Sequence, residues 1–226
     1  MAEGAYRRWQ HLVELDLLND RTMSNIDRIP IKDAPRMMEA VVQEVQVQLG
    51  AGLQWLTHVF GKAEKVGRDY NQLRQYYQKH EHREAFYAPC VYVGGGKYEC
   101  IVPDRKDWGN YAFFYLGEPT EVSGGRRVMP YYDLTGEVNL IIWLDTRDIE
   151  AEDDRNLESI KSQILQVLGA MQLTTGRVEW ERIYEQDKGV FEEYSIYEMD
   201  NQYMLWPYAG FRFKGRISCN TGCVTN

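Results

Sequence analysis

Few residues in this chain stand at spacings that could do chemistry. His80 and His82 flank Glu81, but histidines two apart fall on different faces of a helix, whereas a zinc-protease helix needs two His four apart with a Glu beside the first. Cys219 and Cys223 have three residues between them and no second Cys or His pair near in sequence, so they do not read as a zinc site. Gly94-Gly95-Gly96-Lys97 lacks the Gly-Lys-Ser/Thr ending of a phosphate loop, and no helix pattern opens behind it; it reads as a hairpin turn. The acids between Asp145 and Asp154 lack calcium-loop spacing and read as a charged loop entering a helix. No Gly-x-Ser-x-Gly elbow is present, and His58 lies in an apolar segment that suits a core or interface role. No catalytic residue, cofactor site or metal ligand is assigned.

Two patterns remain. Some metal-dependent nucleases place an Asp before a strand and an acid-x-Lys on it, holding a divalent ion that activates water. Asp133, Glu137 and Asn139 supply the acids and the strand but put Asn where Lys is needed, so a small nuclease stands as an alternative reading. The other pattern is electrostatic. Arg212, Lys214 and Arg216 alternate along the last strand, a basic stripe in an acidic chain, and are expected to point outward. Such a stripe guards an edge strand against wrong pairing, or contacts an acidic neighbour or DNA. Glu150, Glu152, Asp153 and Asp154 could meet it on the next copy of a ring.

The elements that must position these residues follow from periodicity. Residues 1–35 read as an arm: a short helical pattern over Tyr6–Leu18, then an extended piece flanked by Pro30 and Pro35. A single domain spans 36–220, and 221–226 form a loose tail. Met38, Val41, Val42, Val45, Leu49 and Leu53 predict a helix running to about Phe60, with Gly50 and Gly52 marking a bend or a close helix contact. Lys62–Arg83 is polar and reads as a second, exposed helix or irregular region. Phe86–Val93 and Lys97–Val102 form a hairpin signal, Tyr111–Leu116 a strand, and Ser123-Gly124-Gly125 a turn. Glu137–Asp145 has apolar residues at both parities, which predicts a strand covered on both faces. Leu157, Ile160, Ile164, Val167, Leu168 and Met171 make the strongest amphipathic helix. Arg177–Glu185 and Val190–Met199 read as a hairpin, and Ala209, Phe211, Phe213 and Ile217 face inward on the last strand. Helices do not alternate with single strands. The expected class is therefore α+β, a mostly antiparallel sheet backed by helices.

Composition bounds the function. The chain has 226 residues, with 34 acidic and 26 basic side chains and a formal net charge of −8. An acidic balance disfavours a protein whose main task is coating duplex DNA. No apolar run is long enough for a membrane span, and charge in MAEGAYRRWQ argues against a secretory signal. Four cysteines suggest a reducing compartment without a disulfide framework. Sixteen Tyr, more than twice the seven Phe, fit strands and half-buried contact surfaces.

The order of elements resembles the tail-terminator and tail-completion proteins of tailed bacteriophages. Glu137-Val138-Asn139-Leu140-Ile141-Ile142-Trp143-Leu144, the helix Leu157–Met171 and Pro207-Tyr208-Ala209-Gly210-Phe211-Arg212-Phe213-Lys214-Gly215 carry the likeness, which covers roughly Met37 to Asn220. The resemblance implies a structural, non-enzymatic virion protein of the neck or tail end, assembled in the host cytoplasm. It would form a ring, commonly a hexamer, that terminates the tail tube and joins it to the connector. Its partners would be its own copies, the tube protein, neck proteins and DNA in the lumen, with no membrane and no cofactor. The arm 1–35 and the polar segment 62–83 lie outside that pattern. A soluble protein-binding module is a further alternative.

Overall fold

The computed structural model describes residues 38–68, 86–94, 97–103, 108–126, 129–149, 156–185, 188–194 and 205–220. The arm 1–35, His80, His82, Cys223, the tail 221–226 and the acids Glu150, Glu152, Asp153 and Asp154 lie outside the described residues.

Helix α1 spans Met38–Gly52 and buries Val41, Val42, Val45 and Leu49, the stripe its spacing predicts. It stops well short of Phe60. After a turn, β1 (His58–Lys62) begins. Leu53, Leu56 and Phe60 prolong a three- and four-residue spacing, so the sequence overruns the true end. What distinguishes the strand is that Val59 and Phe60, adjacent in sequence, bury in different cores. Such opposite facing is a strand's alternation, not a helix's. Asn110 holds this junction. Its carbonyl accepts from the backbone of Thr57 and His58, its side-chain amide donates to the Trp55 carbonyl at 3.2 Å, and its side-chain oxygen accepts from the Asp145 backbone at 2.7 Å.

The remaining strands are β2 (Glu64–Arg68), β3 (Phe86–Gly94), β4 (Lys97–Cys100), β5 (Tyr111–Leu116), β6 (Glu121–Arg126), β7 (Met129–Asp145), β8 (Gly176–Glu185) and β9 (Tyr208–Asn220). Helix α2 is Leu157–Ala170, its first turn capped by the Asn156 side chain accepting from the Glu158 N–H. The large sheet runs β1-β5-β7-β9-β8, with β6 also paired to β7; only β1–β5 is parallel. A smaller antiparallel sheet runs β2-β3-β4. The protein is α+β.

Both faces of the large sheet are covered, and β7 records this in its own sequence. Val138, Leu140, Ile142 and Leu144 join the core formed with the helices, while Ile141 and Trp143 join a second core with Ala88, Cys90, Ile101, Val190, Phe191 and Tyr194. At Gly52 a Cβ would lie 2.7 Å from both methyls of Val167, so the glycine permits the close approach of α1 and α2 that the sequence suggested.

Three expectations are corrected. Glu64–Arg68, expected within a polar helix or irregular region, is a strand that pairs with β3, and 69–83 lies outside the described residues. Ser123-Gly124-Gly125 lies inside β6 rather than at a turn. Of Val190–Met199, expected as the hairpin partner of β8, Val190 and Phe191 lie in a 3₁₀ turn (Lys188–Phe191) and 195–199 lie outside the described residues, while β8 pairs with β9 from Gly176↔Cys219 to Glu185↔Phe211. The long alternation of β9 offers a better apolar partner, with Trp180 set edge-on to Phe213.

Two glycines give a test with opposite signs. A Cβ at Gly215 would lie 2.4 Å from the Glu179 carbonyl oxygen, a backbone atom on the paired strand that cannot step aside. At Gly169, exposed in α2, a Cβ meets nothing within 4 Å. Gly215→Ala is expected to destabilise by about 2 kcal/mol or more, and Gly169→Ala to stabilise by about 0.5–1 kcal/mol. Urea midpoints of the two variants check both signs.

Candidate functional site

Arg212, Lys214, Arg216 and Glu137 share the second face of β7 and β9. The register sets Ile141 opposite Arg212, Asn139 opposite Lys214 and Glu137 opposite Arg216. Side chains of one parity on β9, Ala209, Phe211, Phe213 and Ile217, all enter the helix-side core as predicted. The other parity was expected to face solvent, and here the structure corrects the reading. Arg212 is fully buried. The face it points from is covered by the segment Lys188–Tyr194, so a strand with one apolar parity is covered on both sides.

Every nitrogen of that guanidinium has an acceptor. Nε donates to Asn139 Oδ1 at 2.8 Å. Nη1 donates to the Gly189 carbonyl at 3.0 Å and to Glu192 Oε2 at 2.9 Å. Nη2 donates to Glu193 Oε1 at 3.3 Å and lies 3.9 Å from Glu137 Oε1. The Tyr184 ring stands 5.6 Å from the guanidinium carbon, within cation–π range. Asn139 in turn donates its amide to Glu137 Oε1 at 2.9 Å, and Lys214 Nζ sits 2.5 Å from Glu137 Oε2. The cluster thus joins two cations, Arg212 and Lys214, to three carboxylates, Glu137, Glu192 and Glu193.

These contacts decide what each residue can do. Arg212 cannot reach a neighbouring copy or DNA, because its donors are spent inside the fold. Lys214 is half-buried on Glu137. Arg216 keeps most of its surface exposed, with Glu181 at 3.9 Å. The proposed acidic counterparts, Glu150, Glu152, Asp153 and Asp154, lie outside the described residues.

The nuclease-like triplet is brought together only in part: Asn139 bonds Glu137, but Asp133 stands apart. Asn139 is buried on Arg212, and Asp133 accepts from the Asn220 amide at 2.7 Å. Asp133 and Glu137 share a parity on one strand but are four residues apart, about 13 Å along it. Among the described residues no group of three or more His, Cys, Asp or Glu is placed to hold a metal ion. His58 lies on β1 rather than on a helix, its Nδ1 2.7 Å from the Trp108 carbonyl and its ring against Phe60 and Trp108.

Sequence reasoning missed Glu192, Glu193, Tyr115 and Tyr184. The available signal was the pair of glutamates directly after Val190-Phe191, two residues that bury completely or nearly so. Burial and the charges of Glu193, Glu118 and Glu137 push the Tyr115 hydroxyl above its ordinary range. For Glu137, burial raises the pKa, but hydrogen bonds from Asn139 and Lys214 and the charges of Lys214 and Arg212 outweigh it, so the net shift is downward.

Comparison with protein-family models finds no match, and a search of curated proteins finds none.

Arg212→Met should destabilise by about 3–5 kcal/mol, because it leaves buried Asn139 and the carboxylates without their cation. Arg212→Lys should rescue little, since a single ammonium cannot serve acceptors spread around a planar fork; urea unfolding measures both. The depressed pKa of Glu137 contributes stability that is complete above the ordinary glutamate value of 4.5 and fades as pH falls from there through the lowered folded value. Glu137→Gln should therefore flatten that acid limb in a plot of Tm against pH. The limb will not vanish, because Glu44 and Asp145 are shifted in the same direction. At Glu44 burial is outweighed by hydrogen bonds from Thr174 and Thr175, and at Asp145 by those from Arg147.

Proposed function

We propose that this chain is a structural subunit that assembles with its own copies into a ring, of the kind that terminates a phage tail tube and joins it to the head-proximal connector. The observation that carries this reading is the β6–β7 hairpin. Among the described residues β9's pairing with β7 runs to Asp133↔Asn220, and Met129–Tyr132 run on beyond it beside β6. At about 3.3 Å per residue that is an overhang of about 13 Å.

The hairpin carries apolar surface at the start of this stretch and just before it. Val122 is paired with Leu134, and Tyr132 with Gly124, so Val122, Tyr132 and Leu134 share one face of the hairpin. Leu134 packs at the fringe of the helix-side core, but Val122 is 61% exposed and Tyr132 48% exposed. The hairpin therefore continues the helix-backed face of the sheet beyond the place where α1 begins to cover it, near Met38 and Gly136. Isolated two-stranded ribbons gain little stability in water, and an apolar face on one is best explained by a surface that covers it.

A second copy supplies such a surface through a contact between two different patches, which closes into a ring when the rotation permits. The edge strand β8 exposes Arg177, Glu179, Glu181 and Arg182, charges that oppose indiscriminate edge pairing and leave the hairpin as the specific contact. In this proposal Arg216 faces the acidic segment Glu150–Asp154 of the neighbour. The tube protein, the neck proteins and DNA in the lumen are axial partners.

Native mass spectrometry and negative-stain images should show a ring at micromolar concentration, alone or with tail tube protein. Val122→Glu together with Tyr132→Glu should abolish it while leaving the far-ultraviolet circular dichroism and the Tm of the subunit nearly unchanged. A protein that stays monomeric under all these conditions would overturn the proposal.

A further inference from the structure

Cys90 and Cys100 are directly opposite each other on β3 and β4. The neighbouring pair exchanges the ladder hydrogen bond, Ile101 N–H to the Pro89 carbonyl at 2.8 Å. Cys90 and Cys100 therefore occupy the alternate, non-hydrogen-bonded position, where antiparallel strands bring side chains closest. Their sulfurs are 2.8 Å apart, about 0.8 Å beyond a disulfide bond. Cys90 is fully buried in the second core and Cys100 is partly exposed. Cys219 is buried in the helix-side core, so the large sheet lies between it and this pair.

We infer that Cys90 and Cys100 form an oxidisable dithiol, a modification site that closes into a cross-strand disulfide when it meets a small-molecule disulfide such as oxidised glutathione. The difference in exposure assigns the order of events. Cys100, deprotonated, attacks one sulfur of the oxidant and expels one small thiolate, leaving a mixed disulfide on Cys100. Cys90 then loses its proton and attacks Cys100 Sγ, and the second small thiolate leaves. Two electrons pass from the protein to the oxidant, and the two protons released end on the two small thiols. The product pins β4 to β3, and with them Ile101 and Val102, which bury in the second core beside Cys90 and Val91. The inference is independent of ring assembly.

Trypsin separates the two cysteines, because Lys97 lies between them: one peptide spans 84–97 and the other 98–105. The folded protein is incubated with oxidised glutathione, alkylated under denaturing conditions and digested without reductant. The expected product is these two peptides joined, lost on reduction, from a chain that runs as a monomer on a non-reducing denaturing gel. The Tm of the same sample should rise by a few degrees and fall back with reductant. Cys100→Ser should show neither the linked peptides nor the rise. Recovery of both cysteines alkylated on separate peptides would overturn the inference. So would a persistent glutathione adduct on Cys100, linkage of either residue to Cys219 or Cys223, or a covalent dimer.

Discussion

The structure turns on a buried arginine in a sheet that has no solvent face at its centre. Once β7 and β9 are covered on both sides, Arg212 must be matched by acceptors or the fold fails, because an unpaired charge in such a place costs several kcal/mol. Asn139 on the neighbouring strand supplies one acceptor. The others must come from the covering layer, and they do: Gly189, Glu192 and Glu193 arrive together on the segment 188–194. That segment also delivers Val190, Phe191 and Tyr194 to the second core. One short stretch thus satisfies the charge and seals the apolar surface around it. A buried ion pair of this kind is weak evidence for stability against an apolar substitute, but it fixes which segment docks and where, since a shifted docking would strand the guanidinium.

Whatever followed from strict periodicity was legible in the sequence. The stripe of α1, the whole of α2, the β3–β4 hairpin, β5, and the two-sided burial of β7 all appear where residue spacing places them. The failures share a cause: local pattern cannot report which partner is in reach. Leu53, Leu56 and Phe60 match helical spacing, yet the chain turns because Val59 and Phe60 have separate cores to fill. Val190 follows β8 directly and so suggests its partner, whereas β9, which begins at Tyr208, offers the longer apolar alternation. Arg212 is the sharpest case. Alternation along β9 correctly separates its two parities, but only the tertiary cover shows that the polar parity turns interior at Arg212. A strand whose polar positions alternate with Phe and Ile looks the same whether its second face meets water or another layer.

That correction also changes what the basic stripe means. Three cations on one strand suggest a single electrostatic surface, but the structure divides them by depth. Arg212 is structural, Lys214 is tied to Glu137, and Arg216 alone of the three keeps most of its side chain in solvent. The proposed interaction surface shifts accordingly from charge to apolar contact on the β6–β7 hairpin. This is the more economical device for self-association. Exposed charge pairs add little affinity after desolvation and side-chain ordering, whereas Val122 and Tyr132 gain from leaving water and already share one face.

The two cores make different demands on the chain, and this bears on how the proposed ring contact would act on the fold. The helix-side core is continuous from Met38 through α2 to Ile217 and is held by side chains on long elements. Beside Phe60, β5 and β7, the second core draws on the small sheet through β3 and β4 and on the 188–194 segment, which holds a 3₁₀ turn. Such pieces open at lower free-energy cost than the central sheet. The Arg212 cluster anchors one of them by charge, and the Cys90–Cys100 pair lies at the ladder of the other two. Both devices therefore act on the layer most easily displaced, while the hairpin that would meet another copy grows from β7, the strand held most firmly. A contact made through β7 can transmit load to the whole sheet without loosening the smaller layer, and a bond that closes in the smaller layer leaves the hairpin's apolar face where it was.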